Sequence, residues 1–173
     1  MDSKGLVIVA VGLPGAGKSR FHEKFLPDAV RCCQDLLKRR EKVEALVEET
    51  VRAGKCAYVD RCDGYPEQRA PWVEIAKRCK VEVVALRFTA DASTCIQRAK
   101  ARAAQGEHDS TLKSDFARVI LKHRSEAEPI GEDEGFDRVY RASEDDDAAN
   151  ATLVDELLSR APTAPTVEPA ASD

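Results

Sequence analysis

Residues 12–19 read Gly12-Leu13-Pro14-Gly15-Ala16-Gly17-Lys18-Ser19 and satisfy the pattern G-x-x-x-x-G-K-[ST] in full. Gly12, Gly15 and Gly17 let successive backbone N–H groups turn inward around an anion, and Pro14 and Ala16 complete the loop. A helix opening at Lys18 would add the positive end of its dipole to the same anion. The Lys18 ammonium has the reach for the outer phosphates of a polyphosphate, and the Ser19 hydroxyl is a hard oxygen ligand for Mg²⁺. The chemistry this octapeptide predicts is nucleotide binding. A mere tight turn between strand and helix would need the glycines but not the Lys-Ser that follows them.

Such a loop works only between a buried strand and a helix, and the neighbouring sequence supplies both. Leu6-Val7-Ile8-Val9-Ala10-Val11 is an unbroken apolar run, the pattern of a strand covered on both faces. After Gly17 a helix is predicted to about Phe25, stopped by Pro27. Ala29 to Cys33 predicts a second strand. From Asp35 to Ala53 one amphipathic helix is expected, with Val43, Leu46, Val47 and Val51 on a single face and Gly54 closing it. Cys56 to Val59 and Val81 to Phe88 predict two more strands, separated by a helix that Pro66 opens and that carries Trp72, Ile75 and Ala76. A helix over 91–104, a polar loop from Gln105 to Ser110, a helix through Phe116 and Ala127, a strand from Phe136 to Tyr140 and a helix from Ala148 to Leu158 complete the order. Alternation of this kind predicts an α/β fold: three layers, a central parallel sheet of about five strands, and a helical lid. Residues 1–160 read as one domain, and the Pro-, Ala- and Thr-rich residues 161–173 as a disordered tail.

Composition narrows the class. The 173 residues are 43% hydrophobic and 34% charged, ordinary for one globular core. No apolar run is long enough to span a membrane, and no secretory signal precedes the loop; the expectation is an intracellular protein, nuclear or cytoplasmic, starting near Met1. The six cysteines form no C-x-x-C pair, and free thiols are expected. Charge is uneven. Residues 1–125 carry 24 Lys and Arg against 17 Asp and Glu, whereas residues 126–173 carry 3 against 14. A basic body fits a polyanionic substrate; the acidic remainder reads equally well as a solvated tail.

The single asparagine, Asn150, leaves no N-K-x-D motif for reading guanine, so a switch GTPase is not expected. No Gly-Gly pair occurs, which removes the S-G-G signature of transporter ATPases, and the chain is short for a mechanical ring ATPase. A small kinase that moves a γ-phosphoryl group remains. The loop Gly12–Ser19 resembles the G-x-P-G-x-G-K-S loop of the polynucleotide 5′-hydroxyl kinases. Cys33-Gln34-Asp35 is similar to that family's short strand ending in a catalytic aspartate, and Val59-Asp60-Arg61-Cys62-Asp63 to its D-x-T-N strand end. Pro66 to Trp72 resembles the helix opening that follows. Arg98 and Arg102 fall in the region of its arginine-bearing lid, and Glu134-Gly135-Phe136 is similar to a Glu-Gly-Phe before its last strand. The Gln-Asp and Asp-Arg-Cys details look closest to the kinase-like domain of plant aprataxin-like proteins. The chain departs from the pattern at Cys62-Asp63, where the family has Thr-Asn, and at Lys38, where it often has arginine.

The resemblance implies a γ-phosphate donor, ATP or GTP, with Mg²⁺ at Ser19, and as acceptor a 5′-hydroxyl end of DNA or RNA. It implies Lys18, Asp35, Arg98 and Arg102 as catalytic residues. Asp35 would take the proton of the attacking hydroxyl, or it is a helix N-cap. Asp60, at a strand end, would be Walker-B-like or would position the acceptor, with Lys38 and Arg69 as further acceptor contacts. Arg98 and Arg102, four apart on one helical face, would clamp phosphates, or form a solvated basic surface. His22, His108 and His123 read as surface or structural residues. Two rivals stand beside this reading: a small-molecule kinase on the same fold, and a catalytically silent nucleotide-binding module that recruits a partner through the acidic run 143–147.

Overall fold

The computed structural model describes residues 5–106 and 115–159. Five strands, β1 (Leu6–Val11), β2 (Val30–Cys33), β3 (Cys56–Asp60), β4 (Glu82–Arg87) and β5 (Arg138–Arg141), form one sheet in the order β2-β3-β1-β4-β5. Every pairing is parallel. The expected three-layer α/β fold is therefore the observed one. Side chains alternate across β1. Val7 and Val9 enter one core with Val43, Val47 and Val51 of α3 (Arg40–Arg52) and Trp72, Val73 and Ile75 of α4 (Pro66–Cys79). Leu6, Ile8 and Ala10 enter the opposite core with Phe21 of α1 (Lys18–Phe25) and Val154 and Leu157 of α7 (Asp147–Ser159). A third, smaller cluster joins Ala16 of the glycine loop to Cys95 and Ala99 of α5 (Ala92–Ala104) and Ile120 of α6 (Phe116–Glu126). That cluster seats the lid on the loop. The last few residues of the 105–110 loop and the tail 161–173 lie outside the described residues.

One expectation fails. The single helix from Asp35 to Ala53 is two, a one-turn α2 (Gln34–Leu37) and α3, separated where Lys38 takes a left-handed conformation at φ 66°. No glycine or proline marks the break. Three adjacent cations, Lys38, Arg39 and Arg40, sit at it. The break frees α3 to lay its valines on the sheet while α2 stays at the end of β2.

The register brings the strand ends together. Asp60 of β3 lies opposite Ala10 of β1 and Cys33 of β2, so the glycine loop, Asp35 and Asp60 all leave the carboxyl edge of the sheet side by side. In open parallel sheets that edge is where ligands bind. No helix of the described residues is long and apolar enough to cross a membrane, and all six cysteines are free.

Candidate active site

A cavity of about 640 Å³ opens over this edge, walled by the glycine loop, α2, the end of β3, α5, α6 and the start of α7. Gly17 caps α1 at φ 99°, a conformation costly for any residue with a Cβ. A Cβ on Gly12 would come within 2.8 Å of the Phe88 carbonyl oxygen, so the loop packs flat against β4 only as glycine. Tyr58, buried beneath, donates its hydroxyl proton to the Lys18 carbonyl at 2.9 Å and fixes the first turn of α1.

Lys18 lines the cavity, but its head group is folded back. Its side chain is buried, and Nζ donates to the carbonyls of Gly12 and Leu13 at 2.8 and 2.7 Å. Ser19 Oγ donates to Asp60 Oδ2 at 2.8 Å. Both oxygens belong to residues of the cavity wall, and a hydroxyl beside a carboxylate is a hard, all-oxygen donor pair suited to Mg²⁺. Asp60 is thus tied to the glycine-loop side of the cavity, through Ser19 and Arg31. Arg31 of β2 donates from Nε to Asp60 Oδ2 at 2.7 Å and from Nη2 to Ser19 Oγ at 2.8 Å. Partial burial pulls the Arg31 guanidinium down, and the Asp60 carboxylate outweighs this and holds it above its ordinary value. Arg31 was not expected at the site. Its signal in the sequence is a charged residue inside a short apolar strand, Val30-Arg31-Cys32-Cys33.

Asp35 lines the cavity from the first turn of α2; the N-cap position belongs to Cys33, so Asp35 is not the cap. Arg98 and Arg102 reach the same cavity from α5. Arg98 Nη1 donates to the Gly15 carbonyl at 3.4 Å, which ties the lid to the loop, and Nη2 approaches Glu144 at 3.5 Å. Glu144 and Asp147 also line the cavity, and Asp147 pairs with Lys24 of α1. Part of the acidic segment, at Glu144 and Asp147, therefore contributes to the site wall while both residues stay exposed to water. His123, read as surface or structural, lines the cavity from α6, and burial lowers its imidazole below the ordinary value.

Asp63 forms part of the wall near Lys18. It sits at φ 41°, a conformation Asp and Asn tolerate. It is 1% exposed, and its Oδ2 accepts from Trp72 Nε1 at 3.0 Å. Burial pushes its carboxyl up to about 6, against the opposing pull of Arg61, Trp72, Lys18 and Arg69.

Two predicted acceptor contacts stand elsewhere. Lys38 is exposed at the end of α2 and is not among the cavity-lining residues. Arg69 is a correction: its side chain is 0% exposed and does not reach the cavity. Its Nε and Nη2 fork onto the Glu134 carboxylate at 2.7 and 2.6 Å, and its remaining donors take the carbonyls of Asp63, Glu128 and Pro129. Every donor is used inside the fold, and none is left for an acceptor.

A five-stranded parallel sheet in the order 2-3-1-4-5, with a glycine loop after β1 and a paired Ser19 and Asp60 beneath it, defines a kinase-like P-loop domain. The chain belongs to the AAA domain family AAA_33, whose pattern matches residues 7–127. Among solved structures, the fold is similar to that of Kti12 from Chaetomium thermophilum in complex with ADP-AlF3, at TM-score 0.68 and 14% identity over 91% of this chain and 100% of that one. It is also similar to a fungal RNA kinase, at TM-score 0.64 and 17% identity over 96% of this chain and 91% of that one. A curated relative, transcription factor bHLH140 of Arabidopsis thaliana, is 28% identical over 159 residues; the match takes in 86% of this chain and 17% of that protein, so the chain spans about a sixth of the relative's length.

Proposed function

We propose that this chain transfers the γ-phosphate of ATP or GTP to a 5′-hydroxyl end of a nucleic acid. The observation that carries the reading is the convergence, on one cavity, of the glycine loop with Lys18, the Ser19–Asp60 pair, Asp35, and the lid arginines Arg98 and Arg102. Phosphoryl transfer goes through a loose transition state with charge spread over the transferring oxygens, so the protein's part is mostly positioning and electrostatics.

Each group has a task of that kind. The loop's N–H groups and the start of α1 bind the phosphates, and Lys18 turns from the loop carbonyls onto the outer ones. Ser19 and Asp60 would hold Mg²⁺, which would supply charge neutralisation at the phosphate oxygens. Arg98 and Arg102 close from α5 onto the transferring group. Asp35, on the cavity wall in the first turn of α2, accepts the proton of the attacking hydroxyl. Lys38, exposed just beyond α2, offers a cation to the acceptor's own phosphate. The fold shared with a fungal RNA kinase supports a nucleic-acid acceptor at the level of architecture.

The test is transfer of label from γ-labelled nucleotide to a panel of 5′-hydroxyl oligonucleotides, DNA and RNA, with sugars and mononucleotides alongside. Labelling of oligonucleotide ends, lost by orders of magnitude in Lys18→Ala, is the expected result. Labelling confined to small molecules would replace this reading with a small-molecule kinase, and none at all with a silent nucleotide-binding module.

A further inference from the structure

We infer that Arg31 is a resident counter-ion for the metal ligands: it holds Ser19 and Asp60 in place in the free chain and gives them up when nucleotide and divalent metal arrive together. This rests on the nucleotide and metal reading of the site given above. The geometry is a closed triangle. Arg31 reaches Asp60 Oδ2 with Nε at 2.7 Å and with Nη2 at 2.6 Å, Nη2 also donates to Ser19 Oγ at 2.8 Å, and Ser19 Oγ donates its own proton to Asp60 Oδ2. Both oxygens that a divalent cation would use are thus already engaged by a cation of this chain.

Charge and burial explain why. The Asp60 side chain is 5% exposed, and a carboxylate that far from water is costly without a partner. Arg31 supplies the partner while no metal is present. Ser19 Oγ keeps a second lone pair, so the conflict between the guanidinium and a metal ion there is one of charge and of room around the oxygen. Two cations on one carboxylate oxygen would also repel at a few ångströms. At 28% exposure and on the cavity wall, the Arg31 side chain has an open route away from the pair. Metal alone must displace Arg31 with little in return. A bound nucleotide offers Arg31 phosphate oxygens in exchange for the pair, so a metal that binds with it no longer bears the cost of displacing Arg31, and the two ligands are coupled through Arg31. Removing Arg31 therefore tightens binding of metal alone and shrinks the coupling, since the two effects are linked.

The experiment is Mn²⁺ binding to the full chain, read by electron paramagnetic resonance, with and without a non-hydrolysable ATP analogue. For Arg31→Gln in the absence of nucleotide, Mn²⁺ should bind tighter than in the parent by a factor on the order of ten, and the Mn²⁺–nucleotide coupling should fall by a similar factor. Adding Asp60→Asn to that variant should abolish the gain, which locates the site. Circular dichroism checks that the variants fold. If Arg31→Gln does not, Arg31→Lys, which trades the two-donor fork for a point charge, should show the same change to a smaller extent. Folded variants whose Mn²⁺ affinity equals or falls below the parent's, in a chain that binds Mn²⁺ with the analogue, overturn the role of Arg31 alone. A parent chain that binds no Mn²⁺ even with the analogue overturns the metal reading and this inference with it.

Discussion

Asp63 and Asp35 are two carboxylates of one cavity wall. Asp63 is enclosed, with its carboxyl pushed up to about 6 by burial. A carboxyl whose folded value lies above its unfolded one binds a proton more readily in the folded chain. Its charged form therefore costs stability, and that cost develops as pH rises from about 4 to about 6. Asp63→Asn keeps an acceptor for Trp72 and tolerates the positive φ. The variant should be more stable than the parent by roughly 1–3 kcal/mol at pH 7.5, with the gain fading as pH falls through 6 towards 4. Urea titrations followed by the fluorescence of Trp72, the one tryptophan, measure this; a gain independent of pH would show that Asp63 is not the source. Asp35 lies in the first turn of α2 but is not its cap. Asp35→Asn should lower kcat strongly, leave nucleotide affinity nearly unchanged and shift stability by less than about 1 kcal/mol. Unaltered kcat would remove Asp35 as the base.

At the scale of elements, the joint between α4 and the segment leading to β5 depends on one buried side chain. Arg69 of α4 forks onto Glu134 and holds the Glu128 and Pro129 carbonyls. Burial pushes the Glu134 carboxyl up, and the Arg69 fork outweighs it and keeps the group below its usual range. Arg69→Met would strand Glu134 and three carbonyls, so a loss of about 3–5 kcal/mol is expected. Thermal melting should register it, while KM for the acceptor in the protein that remains folded stays near the parent's. An acceptor contact would behave the other way round, with a raised KM and unaltered melting. The lid depends on weaker ties: Arg98 meets Gly15 and Glu144 only at 3.4 and 3.5 Å, contacts that can be exchanged for phosphate oxygens when nucleotide binds.

For the whole molecule, the uneven charge has a kinetic consequence. If the basic body grips two or three phosphates of a single-stranded acceptor, log affinity should fall with log salt at about −0.7 per phosphate neutralised. The apparent KM for an oligonucleotide should then rise roughly tenfold between 50 and 200 mM monovalent salt, and that for a 3′-mononucleotide much less. Equal dependences would favour a small acceptor.

Strand β1, the glycine loop and the start of α1 were legible as sequence because each depends on neighbours in the chain: an unbroken apolar run, glycine's freedom at positive φ, and a helix start. The order of strands and helices followed from the same local periodicities, Lys18 and Ser19 came from the loop pattern, and Asp35, Arg98 and Arg102 were implied by the resemblance to the polynucleotide kinases. What pairs with what was not local. Ser19 and Asp60 are 41 residues apart, Arg31 and Asp60 are 29 apart, and Arg69 and Glu134 are 65 apart. Only the packed sheet, with β3 between β2 and β1, puts Arg31 on the Ser19–Asp60 pair. Only the closing of the 128–134 segment over α4 turns Arg69 from a surface cation into a buried tie. Charge and residue type told which side chains could do chemistry; burial, which depends on every layer at once, decided which of them face the cavity.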